Sequence, residues 1–432
     1  MPVFVKDNGV WHLSSNDSDR FRLSFDASTF STGANLTYSD GAVGLEPLNN
    51  STGTMSGGSW MDIFTNPMLN DCFYATISGN GEILHKLNPN NLATALDGTD
   101  VSTEITQENV MFVIPTRYIT RNAYGITHSR NPSDGEAYAH TIDGHTYDYL
   151  GIGVYPAVNV SGVLKSISGS TPTGSLRRDV FRSYVKANGT PSNGNWMLWN
   201  WHQYALYRDM VLFATCDWDS QGIIGKGNLS GNSNTNWVNN GLYNASGVFA
   251  GSQTTGAGYG VKAFIENMWG ELWQFVDDVV TGDEYSDGTT IWKDLYAGQN
   301  ATPVISDNEA SASGTINYSD KEIIARIKVA TASATQSAGW KYGVSINTGS
   351  KGWGVPDSWG GSTSTYSHDG CYTAGVTVTD GVPTVTTARN VLVGGRSNDG
   401  LNAGLSALNV NDAVSNSGWS VGARVCLAFD EP

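Results

Sequence analysis

Apolar positions fall in short runs along this chain, separated by clusters of Asn, Asp, Ser, Thr and Gly. In VFVKDNGVWHL, Val3 and Val5 alternate with polar residues, Asp7-Asn8-Gly9 form a turn, and Val10 and Trp11 begin a return strand. This spacing predicts a hairpin. NGEILHKLNP contains a further turn. ENVMFVIPTRYIT reads as a buried strand with Pro115 at its edge or end, because proline cannot donate to a central ladder. After a polar loop over 128–145, YDYLGIGVYPAV reads as another strand. Two stretches show helical spacing instead. WNWHQYALYRDMVLFAT places Trp201, Tyr204, Ala205, Val211 and Leu212 on one face, and AFIENMWGELWQFVDDV does so with Ile265, Trp269, Leu272 and Val276. A Gly/Asn/Ser-rich loop over 226–260 lies between them. From about residue 285 the pattern returns to strand and loop, irregular over 329–390. Two helices in a long β and loop frame predict an α+β fold.

The chain has 432 residues, of which 39% are hydrophobic and 14 are Trp, enough for a large core. The 51 Gly favour turns and β-structure over helix bundles. Charged residues make up only 15%, so polarity comes mainly from neutral side chains. A net charge of −16 argues against sequence-independent nucleic-acid binding. The N-terminal MPVFVKDNGVWHL lacks the apolar stretch of a signal peptide, and no segment has the length of a membrane span. Cys72, Cys216, Cys371 and Cys426 show no metal spacing and are expected as free, packed thiols. Sequons occur at Asn159 and Asn188.

The candidate chemistry is sparse. Nucleophile elbows, P-loops and HExxH motifs are absent, and Gly225 and Gly227 in IIGKGN are better read as a turn than a phosphate site. His140, Asp143, His145 and Asp148 could form a metal cluster, but their spacing fits an exposed polar loop better. Asp217 and Asp219 are possible Ca²⁺ ligands in what is more simply a turn after a helix. The Trp residues of WMLWNWHQY and MWGELWQF could line a carbohydrate site, though core packing is their default. The segment VGGRSNDGLNAGLSALNVNDAVSNSGWSVGARVC, 393–426, differs from all of these. Its dense polar residues are bracketed by apolar-flanked glycine motifs, as a displayed surface would be.

Taken in order, ENMWGELWQFVDD, VLVGGRSNDG and SVGARVCLAF resemble the helix end, Gly-Gly turn and closing G-x-R strand of C-type-lectin-fold proteins. Within that group they are most similar to phage tropism determinants and retroelement-diversified variable proteins. VMFVIPTRYIT, WHQYALYRDMVLFATCDWDSQGIIGKG and VFVKDNGVW resemble segments of phage structural proteins. The resemblance covers roughly 58–432. It implies a C-type lectin fold with long loop insertions over 58–432, preceded by a small β-rich N-terminal attachment module over 1–57.

It also implies a ligand-binding surface at Arg396, Asn398, Asp399, Gly400, Asn402, Asn409, Asn411, Asp412, Asn416, Gly418 and Ser420. Gly404, Ala407, Leu408 and Ser415 would be scaffold, with Gly394, Gly395, Arg424, Trp269 and Trp273 structural. Arg424 would tie carbonyls of the segment, or a carboxylate, to the final strand. Ser397 stands where the family often has an aromatic residue, and Gly-Glu-Leu-Trp stands for its Gly-Asn-x-Trp.

The function implied is a non-enzymatic virion protein, in a tail or tail fibre, that binds a bacterial cell-surface receptor. It would assemble with other tail proteins as a homo-oligomer such as a trimer. Alternatives are a structural tail-tip or capsid-decoration protein and a formylglycine-generating-type oxidase, whose cysteine pair Cys371 and Cys426 are too far apart in sequence to supply. Ca²⁺-dependent sugar binding would need Glu-Pro-Asn and Trp-Asn-Asp motifs, which LEPLNN does not match. No cofactor is expected, with bound Ca²⁺ left open.

Overall fold

The computed structural model describes residues 3–7, 10–14, 19–26, 36–50, 55–229, 237–254, 256, 258–298, 316, 318, 321–333, 335–343, 346–347, 354–356, 359–361, 369–383 and 388–431. They are mostly β: 41% strand against 12% helix, which corrects the expected α+β class. The lectin-fold expectation belonged to that α+β frame and is set aside with it.

The correction comes mainly from residues 261–286. Instead of a helix, they form strands Val261–Ala263, Ile265–Glu266 and Trp273–Ser286. Backbone at φ +59° (Phe264), +51° (Asn267) and +78° (Gly270) cannot belong to a right-handed helix. The strand from Trp273 is buried on both faces over most of its length. Its apolar residues therefore need not alternate, and their spacing can match a helical period by accident.

Two sheets dominate. In the seven-stranded sheet, Val425–Phe429 lies between Gly194–Leu198 and Tyr149–Gly153, followed by Asn109–Pro115, Phe73–Ile77, Ile83–Asn88 and Asn91–Ala95. Asn109–Pro115 is the buried strand expected from ENVMFVIP, with Pro115 at its end. Val110, Phe112 and Ile114 enter one core cluster, and Met111 and Val113 enter another. In the nine-stranded sheet the order is Lys321–Thr331, Thr290–Gly298, Trp273–Ser286, Asn390–Val393, Leu408–Val410, Gly370–Thr373, Gly339–Gly343 and Trp359–Gly361, with Val421–Gly422 beside Trp273–Ser286. The expected hairpin pairs Val3–Asp7 with Val10–Ser14, its turn residues lying outside the described residues.

Helix α1 (Arg178–Lys186) was not expected; its apolar signal is little more than Phe181 and Val185, one turn apart. Helix α2 (Trp201–Thr215) was expected, but as a one-faced helix, whereas all its residues are buried. It starts with a capping box: the Asn200 side chain accepts from the Gln203 amide at 2.8 Å, and Gln203 accepts from the Asn200 amide at 2.9 Å. α3 (Ser220–Ile223) follows, capped by Asp219.

Residues from the segment expected as an attachment module pair with the chain beyond 58. Strand Arg20–Ser24 lies between Thr37–Asp40 and Gly125–Ser129. The Leu48 amide donates to the Ala214 carbonyl of α2 at 2.8 Å.

Within α2, Asp209 is fully buried and accepts from Arg121 Nε at 2.6 Å, with His128 Nε2 at 3.5 Å. Burial alone would push its carboxyl up, but the Arg121 guanidinium and His128 bring it down to about 2. Removing one partner of such a group strands the other charge in the core. Asp209→Ala is expected to cost about 3–5 kcal/mol in urea unfolding. A loss below about 1 kcal/mol, ordinary for a surface change, would contradict this role.

Candidate functional site

The cross-strand registers of the nine-stranded sheet place a row of side chains side by side. Phe275 pairs with Leu392, Leu392 with Asn409, Asn409 with Tyr372, and Tyr372 with Trp340. Trp273, two residues before Phe275, shares its face. The row starts in the core, where Trp273, Phe275 and Leu392 are buried. It ends at Tyr372 and Trp340, which are only half-buried. Where the row leaves the core it floors a cavity of about 340 Å³ with a mainly polar wall.

The aromatic floor is held in place. Trp340 stacks on Trp273 with centroids 6.4 Å apart and meets Tyr372 edge-on at 5.0 Å. Gly370 makes room for the indole, since a Cβ there would lie 2.5 Å from the Trp340 ring.

The wall comes from the C-terminal polar segment: Arg396, Asn398, Asp399, Asn409, Asn411 and Asp412 all line the cavity. Gly394 and Gly395 launch it with φ of +95° and +91°. A side chain at Gly394 would collide with the Met268 carbonyl, and one at Gly395 would lie 2.5 Å from the Ala403 Cβ. Asp399 then closes a turn by accepting from the Arg396 amide at 2.8 Å. Arg396 also donates to Ser420 Oγ at 3.1 Å.

Further along, Asn409 accepts from the Asn411 amide at 2.8 Å and donates to Asp412 at 2.9 Å. The Asp412 carbonyl accepts from the Asn390 amide at 2.8 Å, and the Asn390 side chain is bonded by buried Arg178 of α1 at 2.7 Å. Among the described residues, the side chains of Asn398 and Asn411 make no hydrogen bond within the protein. They are open to a ligand.

The other residues expected at this surface are placed differently. Asn402 accepts from Tyr342 Oη at 2.7 Å and does not line the cavity. Asn416 caps its own turn through the Gly418 amide at 2.8 Å. Ser420 is buried beneath Arg396, and Asn409, although it lines the cavity, is only 6% exposed. Gly400 and Gly418 are partly exposed turn residues. Gly404, Ala407 and Leu408 are buried, whereas Ser415, expected as scaffold, is exposed.

Trp269 is fully buried and donates to the Gly225 carbonyl at 2.9 Å. Arg424 is buried and bonds the Gly153, Val154 and Glu266 carbonyls and the Gln274 side chain, not the polar segment and not a carboxylate. Trp340 and Tyr372 were missed. They lie in short glycine-containing stretches, GWKYG and GCYT, and only strand pairing brings them to the site.

Burial raises the carboxyls of both Asp399 and Asp412, against the opposing pull of Arg396. Beneath the segment, Glu271 is fully buried and its carboxylate accepts from the Val238 amide. Burial pushes its carboxyl up to about 8.

Other candidates disperse. His140, expected in an exposed loop, is buried with Nε2 3.2 Å from the Ile114 carbonyl, while His145 lies at the surface 2.9 Å from Asp430. Burial of a cation is unfavourable, and His140 falls to about 4. Asp219 accepts from the Gly222 amide at 2.8 Å, and Asp217 from the Asp219 amide at 2.9 Å, so both serve local turns. Gly225 and Gly227 hold φ of +152° and +74° in irregular chain after α3. Among the described residues no group of His, Cys, Asp and Glu is placed to hold a metal ion, and no helix is long and apolar enough to cross a membrane. All four cysteines are free, and Cys72, Cys371 and Cys426 are buried.

No protein-family model matches this sequence, and no curated protein matches it either.

Two outcomes follow from this geometry. Gly394→Ala forces a side chain into left-handed backbone against a carbonyl and is expected to cost about 1–3 kcal/mol. Asn398→Ala and Asn411→Ala lose no internal bond and are expected to stay within about 0.5 kcal/mol of wild type. Thermal melts of the three variants check this, and early melting of either Asn variant would contradict it.

The second concerns pH. The Glu271 carboxyl titrates higher in the fold than its ordinary 4.5, so folding favours its neutral form. That stability is fully present below about pH 4.5 and is lost as pH rises through about 8. Glu271→Gln should therefore lose less melting temperature than wild type between about pH 5 and about pH 8.5. Equal losses would show that Glu271 is already ionised in the fold.

Proposed function

We propose that this chain is a non-enzymatic virion protein that attaches to a bacterial cell-surface receptor through the cavity beside Trp340. The observation that supports this most is the division of labour within 393–426. Val393, Leu405, Leu408, Val410 and Val421, with Gly394, Gly395 and Gly404, are buried, while Arg396, Asn398, Asp399, Asn411 and Asp412 gather around one concavity. Ligand sites are typically concave, with a few polar groups fixed by rigid elements. Here the fixing groups are the Arg396–Asp399 turn, the Asn409–Asp412 pair and Asn390. Asn side chains with unused donors and acceptors suit adaptable polar contacts. Placement in a tail or tail fibre, and assembly as a homo-oligomer with other tail proteins, belong to the same reading. Several copies would convert modest single-site affinity into avidity.

Adsorption of the fluorescently labelled protein to a panel of bacterial strains tests the reading. The Asn398→Ala/Asn411→Ala double variant is expected to bind responsive cells about tenfold more weakly, as for loss of hot-spot contacts, with an unchanged melt. Adsorption equal to wild type, or adsorption to no strain, would remove its support.

A further inference from the structure

We infer that the ligand of this cavity is an uncharged saccharide, held by ring stacking on Trp340 and Tyr372 and by hydroxyl contacts to the polar wall. The inference rests on the cavity being the receptor site. Its chemistry, however, is independent of which cell carries the receptor.

The wall first limits the ligand. A mainly polar surface gives an apolar ligand little to bury, whereas a polyol can exchange water for amide and carboxylate partners around its rim. Asn398 and Asn411 each offer both a donor pair and an acceptor, and neither is committed within the protein. Asp412 lines the cavity with one oxygen already taken by Asn409.

The floor supplies the second requirement. One face of a pyranose ring carries C–H groups, which pack on an aromatic face while the hydroxyls point outward to polar partners. Trp340 and Tyr372 stand directly opposite each other on neighbouring strands, half-buried, and set edge-on at 64°. Trp273 backs Trp340, so the platform is formed before ligand arrives. A cavity of about 340 Å³ admits a sugar unit, at the small end of the usual range of about 300–1,000 Å³.

Charge decides the kind of sugar. Two carboxylates, Asp399 and Asp412, line the cavity against one cation, Arg396. That cation is engaged by Asp399, with Nε to Oδ1 at 3.4 Å, and by Ser420. A uronic or sialic acid would bring a further negative charge to a lining that already sets two carboxylates against one guanidinium. It would also approach a chain of net charge −16. Neutral hexoses and N-acetylhexosamines meet no such penalty.

Titration calorimetry of the full chain, together with binding to immobilised saccharides, tests this. The probes are short oligomers of glucose, galactose, mannose and N-acetylglucosamine, set beside galacturonate and N-acetylneuraminate. At least one neutral probe is expected to bind, and the acidic ones more weakly. Trp340→Ala should weaken binding about tenfold, the upper end of the worth of an aromatic contact. Because Trp340 also packs on Trp273, Asn411→Ala is read alongside it and should weaken binding without changing the melt. Preference for an acidic probe would overturn the inference. So would failure of every neutral probe while the cells' adsorption still depends on Asn398 and Asn411, which leaves the cavity as receptor site but with another ligand. Adsorption indifferent to those residues would instead remove the reading on which the inference rests.

Discussion

A single buried guanidinium joins the parts of this fold. Arg424 immediately precedes the final strand, Val425–Phe429, inside the seven-stranded sheet. Its donors reach the Gly153 and Val154 carbonyls at the end of the neighbouring strand, at 2.8 and 3.2 Å. They also reach Glu266 in the three-stranded sheet at 2.9 Å and Gln274 in the nine-stranded sheet at 2.8 Å. A buried cation is tolerable only when its donors are satisfied, so the two large sheets and the three-stranded sheet must meet in one arrangement. Burial lowers the guanidinium to about 10, still well above neutrality, so the charge persists. The polar segment 393–421 is suspended between two anchors of this assembly. The Gly394–Gly395 turn lies against Met268 and Ala403, and Val421–Gly422 runs parallel to the strand from Trp273.

The cavity is a consequence of that suspension. The apolar row of the nine-stranded sheet passes from Phe275 and Leu392 to Asn409, Tyr372 and Trp340 as it runs out from under the core. The polar segment folds back over its outer end. Arg178 of α1 reaches the same place through Asn390, which fixes the chain at Asp412 and Ala413. Rigid support of this kind lowers the ordering cost of binding and lets neutral side chains serve as specific contacts.

Much of this was legible in the sequence where local pattern decides structure. The run VMFVIP announced a buried strand because both faces of Asn109–Pro115 are covered, and the spacing of Trp201, Tyr204, Ala205, Val211 and Leu212 announced α2. The density of Asn and Asp in 393–426 pointed to the wall of the cavity. It did not reveal that Ser420 is buried beneath that wall, or that Asn409 within it is only 6% exposed. Residues 261–286 misled because a strand buried on both faces has no period of its own, and Gly270 with Asn267 only punctuates it in three dimensions. Trp340 and Tyr372 could not be found from sequence, since pairings across 32 and 37 residues of chain place them beside each other and beside Asn409.

The most direct measurement is nuclear magnetic resonance of the indole N–H groups in protein labelled at tryptophan with nitrogen-15, titrated with cell-envelope extract from a strain that adsorbs the protein. Trp340 lies on the cavity floor, whereas Trp60, Trp199 and Trp269 are fully buried elsewhere in the core. The account predicts that the Trp340 resonance moves while those three stay in place. Saturable binding that leaves Trp340 unmoved would contradict it and place the receptor on another surface.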